Sequence, residues 1–98
     1  MAAFELERSA PCRLAARGEL GFETATEALA LGLRLLDGEA CTIDLAGVGA
    51  ADSAGLAVLV EWLAHARNRG IDLRYESIPP QIRAIARISD IESLLDPA

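Results

Sequence analysis

The sequence predicts a small α/β domain: a mixed, mostly parallel sheet opened by a hairpin, with helices mainly on one face. Three observations carry that prediction. The apolar period switches from two to about 3.6 and back along the chain, as alternating strands and amphipathic helices require. Turn and stop signals at Ala10-Pro11, Gly18 to Gly21, Asp37-Gly38, Gly70 and Pro79-Pro80 separate the periodic segments. The 98 residues give room for one hydrophobic core, so residues 1–98 form a single domain.

Phe4-Glu5-Leu6-Glu7 alternates like a half-buried strand. Ala10-Pro11 interrupts it, and Cys12 to Gly18 resumes it, so the two segments read as an antiparallel hairpin. A turn over Gly18-Glu19-Leu20-Gly21 ends the second strand. Thr24, with Glu27 three residues on, has the spacing of a capping box. Ala28, Leu29, Leu33 and Leu36 follow at helical spacing, Leu31 and Leu35 widen the stripe, and Asp37-Gly38 stops it. Ala40 to Leu45 is the third strand, followed by a loop of small residues from Ala46 to Ala51. The longest helix is expected over Ser53 to Arg69, burying Leu56, Leu59, Val60 and Leu63, with Gly70 behind it. Ile71 to Glu76 alternates as a fourth strand. Pro79-Pro80 opens a last helix, with Ile82, Ile85, Ala86 and Ile88 inward and Ile91, Leu94 and Leu95 closing the core. Successive right-handed strand–helix–strand units put their helices on one face.

Composition narrows the function. Hydrophobic residues make up 52% and charged residues 24%, a globular balance. No apolar run approaches the roughly 20 residues needed to span a bilayer, and Met1 to Ser9 lacks the layout of an export signal. A net charge of −6 argues against binding a phosphate backbone. Cys12 and Cys41 are expected to be reduced thiols rather than a disulfide. One histidine, His65, expected on the rim, and two separated cysteines do not make a metal site. No phosphate-binding glycine motif is present, and Gly47-Val48-Gly49 alone does not make one. Ser53 and His65 lie on one helix about 18 Å apart by helical rise, so they cannot act as a hydrolytic pair. No cofactor and no catalysis are expected.

The segment from Asp44 to Leu56 is the candidate site. It runs from a strand through Ala46, Gly47, Val48, Gly49, Ala50 and Ala51 into a helix opened by Asp52, Ser53, Ala54 and Gly55. Asp52 or Ser53 caps that helix. The small side chains allow another chain to approach closely, and a phosphate on Ser53 would sit at a helix N-terminus. Val58 and Trp62 fall together on one flank of the helix. Trp62 either packs against a neighbouring helix or anchors a partner.

Strand, Asp44-Leu45, short loop, then Asp52-Ser53-Ala54-Gly55-Leu56 opening a helix resembles the signature of STAS domains. Gly18-Glu19-Leu20 and the Arg69-Gly70 helix ending fit the same pattern. Cys41 to Leu45, Asp52 to Trp62 and the Ile82-Arg83-Ala84-Ile85-Ala86-Arg87 run are most similar to the MlaB-like branch. That resemblance implies a non-catalytic cytoplasmic subunit, peripheral to the inner membrane. It would bind the ABC transporter ATPase subunit (MlaF-like) and, through it, the permease complex of a phospholipid transporter that maintains outer-membrane asymmetry. The implied partner surface comprises Val48, Gly49, Ala50, Ala51, Asp52, Ser53, Ala54, Val58 and Trp62. The alternative branch, the anti-sigma-factor antagonists, implies phosphorylation of Ser53.

Overall fold

The computed structural model describes residues 3–96. Four strands, β1 (Phe4–Ala10), β2 (Arg13–Leu20), β3 (Ala40–Ala51) and β4 (Asp72–Glu76), lie side by side in chain order. β1 and β2 are antiparallel, whereas β2–β3 and β3–β4 are parallel. Helices α1 (Ala25–Leu35) and α2 (Ser53–Asn68) make the two crossovers, and α3 (Pro80–Ile88) with a short 3₁₀ turn (Glu92–Leu94) follows β4. Each crossover steps one strand in the same direction, so the right-handed rule puts α1 and α2 on one face.

Strand alternation sets that face. Phe4, Leu6, Leu14, Ala16, Leu20, Cys41, Ile43, Leu45, Leu73 and Tyr75 are all buried beneath the helices. Between them stand Glu5, Glu7, Arg13, Arg17, Asp44, Arg74 and Glu76, and the opposite face is a lattice of ion pairs. Exposed pairs of this kind contribute at most about 1 kcal/mol each. The core on the helical side supplies the stability.

Several elements depart from expectation, each for a local reason. The small-residue segment 46–51 is not a loop but the second half of β3. β2 runs beyond its expected end and pairs with it as far as Leu20↔Ala51, with two register shifts absorbing the bend. Gly47 passes so close to β2 that a β-carbon would lie 2.7 Å from the Ala16 carbonyl oxygen. Thr24 stands at the N-cap of α1, but its side chain makes no capping bond. Its hydroxyl turns back, accepting from the Gly21 N–H and donating to the Glu19 carbonyl, and closes the β2–α1 turn instead.

The buried face of α2 is also rotated. Leu56 and Leu59 are inside as expected, but Val58, Trp62 and Ala66 join them, while Val60 and Leu63 are only half-buried. The cause is the bulk of Trp62, which sinks into a notch at Gly32 of α1. A β-carbon at Gly32 would lie 2.0 Å from the indole nitrogen. The indole N–H donates to the Leu29 carbonyl at 3.4 Å. In α3, Ile82 and Ala86 are buried, but Ile88 is 86% exposed because it lies six residues past Ile82, on the far side of the helix. Leu33 and Leu94 are likewise exposed.

Candidate functional site

β3 ends at Ala51, and the next residue fastens two elements together. Asp52 is the N-cap of α2: its Oδ1 accepts from the Ala54 N–H at 2.9 Å and the Gly55 N–H at 3.3 Å. Its Oδ2 accepts from the Phe22 N–H in the β2–α1 turn at 3.1 Å. These bonds favour the ionised form. The Phe22 N–H contributes most and the helix amides follow, so the carboxyl is held below its ordinary range despite partial desolvation.

Two glycines make that arrangement possible. A β-carbon on Gly21 would lie 2.7 Å from Asp52 Oδ2, and one on Gly55 would lie 2.1 Å from the Leu20 carbonyl oxygen. The first turn of α2 therefore rests directly on the end of β2. Asp52 and Gly55 in the Asp-Ser-x-Gly motif thus each have a structural role.

Ser53 is left free by this division of labour. It is the first residue of α2, exposed, and its hydroxyl makes no bond among the described hydrogen bonds. The cap is Asp52 alone. Along the chain leading into Ser53, Gly49, Ala50 and Asp52 are exposed, while Val48, Ala51 and Ala54 are half-buried. Val58 and Trp62, expected at the same surface, are 4% and 0% exposed and belong to the core, so neither offers an anchor there.

The residue that does offer one is Phe22, 84% exposed. It borders an open cleft of about 690 Å³, which Glu19, Glu23, Thr24, Ala50 and Asp52 also line. Nothing in the local sequence pattern links the β2–α1 turn to Ser53. The one available signal was an aromatic stranded in a polar turn, with no helical or strand period to bury it. His65 is half-buried, and its Nε2 is shielded from solvent and without a partner among the described residues. Among the described residues no group of three His, Cys, Asp or Glu side chains is placed to hold a metal. No helix among them is long and apolar enough to cross a membrane.

A four-stranded mixed sheet in chain order with a capped helix start at the end of its third strand defines the class: a STAS-type α/β domain. The family model described as "Mlab, STAS domain" matches residues 4–96, and the chain belongs to this family of STAS domains. Solved structures that share the fold include an anti-sigma factor antagonist and a sulfate transporter family protein. The anti-sigma factor antagonist SpoIIAA in its unphosphorylated form aligns over 98% of this chain and 89% of its own, with a TM-score of 0.69 and 16% identity. A sulfate transporter family protein from Wolinella succinogenes aligns over 85% of this chain and 69% of its own, with a TM-score of 0.65 and 15% identity. No curated protein matches by sequence.

Proposed function

We propose that this chain is a non-catalytic accessory subunit of an Mla-type phospholipid transport complex. It docks onto the ABC ATPase and, through it, associates with the inner-membrane permease from the cytoplasmic side. The observation that carries this reading is the match of the Mlab-described STAS model to nearly the whole chain, residues 4–96. The site supports it. A rigidly fastened surface of small side chains around an exposed serine, with an exposed phenylalanine alongside, suits protein contact. His65 lies three turns along the same helix from Ser53, so the two do not form a nucleophile–histidine pair.

A second reading has its own support. Because Asp52 takes the cap, the Ser53 hydroxyl is free and accessible, as a phosphoacceptor must be. In that reading the chain is an anti-sigma-factor antagonist switched by phosphorylation of Ser53. Adding phosphate there is not electrostatically neutral, however. The Ala54 and Gly55 N–H groups that would welcome it are already bound by the Asp52 carboxylate.

Ser53→Ala separates the two. A transporter subunit loses only surface contact at this position, so the variant, at native expression, should restore detergent resistance to a strain lacking the gene almost fully. Failure to restore it, together with a phosphorylated Ser53 peptide in the wild type by mass spectrometry, would replace the transporter reading with the switch.

A further inference from the structure

The two cysteines, far apart in sequence, stand at neighbouring strand ends, at the end of the sheet opposite Ser53. β2 and β3 pair from Arg13↔Thr42 onward, and Cys12 and Cys41 each stand one residue before that pair. The ladder reaches this rung as well, since the Thr42 N–H donates to the Cys12 carbonyl at 2.9 Å. Neighbouring strands run about 4.8 Å apart, inside the roughly 4.4–6.8 Å Cα separation that a disulfide requires.

The two thiols differ in access. Cys12, in the β1–β2 turn, is exposed, and Cys41 is buried beneath the helices; both are free thiols. Arg8 ties this corner together, donating to the Pro11 carbonyl at 3.2 Å and the Leu35 carbonyl at 2.7 Å. Burial holds the Cys41 thiol above its ordinary value; the Arg8 charge opposes that shift, and the neighbouring Asp37 and Cys12 add to it. An exposed thiol beside a buried neighbour is the arrangement of an entry cysteine and a resolving cysteine.

We infer that Cys12 and Cys41 are a redox latch, forming an intramolecular disulfide across β2 and β3 when the protein meets an oxidised low-molecular-weight thiol of the glutathione class. The Cys12 thiolate attacks one sulfur of the small disulfide, giving a mixed disulfide and releasing one thiol. The Cys41 thiolate then attacks the Cys12 sulfur, forming the Cys12–Cys41 bond and expelling the second thiol. Two electrons pass from the cysteine pair to the oxidant, and the two cysteine protons leave on the two released thiols. The bond closes a ring containing β2, α1 and the start of β3, so it restrains the unfolded chain and raises stability. This inference is independent of the transporter reading, because neither cysteine belongs to the Ser53 surface.

The test is equilibration of the folded, reduced chain with oxidised glutathione, followed by intact mass, peptide mapping and thermal unfolding. The expected result is loss of two thiols without a retained adduct, a linked Cys12–Cys41 peptide, and a melting temperature raised by at least about 5 °C. Cys12→Ser should abolish the reaction, whereas Cys41→Ala should trap the mixed disulfide on Cys12. A glutathione adduct that persists on Cys12 in the wild type, dimers linked through Cys12, unreacted thiols, or a melting temperature that fails to rise would each overturn the inference. Mapping of the wild type decides the matter even if Cys41→Ala does not fold.

Discussion

The Asp52 carboxylate takes backbone N–H bonds from two separate elements, and this has consequences for stability, for pH and for Ser53. Asp52→Ala should cost about 0.5–2 kcal/mol, the usual range for a lost N-cap. It should also release the Phe22 amide to faster hydrogen exchange, because that N–H loses its acceptor. The pH dependence follows from a carboxyl held below its unfolded value. Its contribution is complete above the unfolded aspartate value of about 3.9 and is lost as pH falls through the lower folded value. Phe22 amide protection, followed from neutral pH downward, should fall in that acid window in the wild type and show no such step in Asp52→Ala. Ser53→Ala, by contrast, should change stability by less than about 0.5 kcal/mol, as at a surface site without a bond. The sequence narrowed the cap to Asp52 or Ser53 but did not choose between them. The choice depends on the Phe22 N–H, which lies 30 residues away in the chain.

At the scale of elements, the α1–α2 contact is a knob in a notch. Trp62 fills the space that Gly32 leaves open, and its ring lies 6.1 Å from that of Phe4 between centroids. Gly32→Ala gains about 1 kcal/mol in helix propensity but drives a methyl group into the indole. Overpacking in a filled core costs about 1–3 kcal/mol, so the expected net change is destabilising or neutral. Trp62→Ala should cost about 3–5 kcal/mol; chemical denaturation measures both. A stabilised Gly32→Ala protein would show that the helices separate easily and that the notch is not a constraint. The helical period of α2 was plain in the sequence, but its rotation was not. Leu56, Leu59, Val60 and Leu63 and the Val58–Trp62 flank are comparably apolar stripes, and only the glycine on another helix selects the stripe containing Trp62.

For the whole molecule, β-α-β order and strand alternation were enough to read the sheet, its parallel pairs and its single helical face. The extension of β3 through 46–51 was not legible, because small residues carry no alternation and are held there only by pairing with β2. The buried Tyr75 links the sheet to α2, its hydroxyl donating to the Leu59 carbonyl at 2.6 Å. Burial raises its pKa well above the ordinary value. The folded state therefore retains the proton, and stability is complete below the unfolded tyrosine value of about 10 and falls as pH rises beyond it. Tyr75→Phe should cost about 1 kcal/mol at neutral pH through the lost hydrogen bond and should flatten that alkaline decline. Denaturation midpoints at neutral and alkaline pH provide the comparison.

Under the proposed function, the turn bearing Phe22 and the start of α2 form one docking surface for an ABC ATPase. The most direct test is size-exclusion chromatography of the chain with the ATPase of the same transporter, with circular dichroism to confirm the fold. The wild type should co-elute as a complex. Ser53→Arg and Phe22→Ala, both exposed positions, should remain folded and elute separately from the ATPase. If both folded variants still co-elute, or if the wild type does not bind, this surface is not where the domain meets that partner.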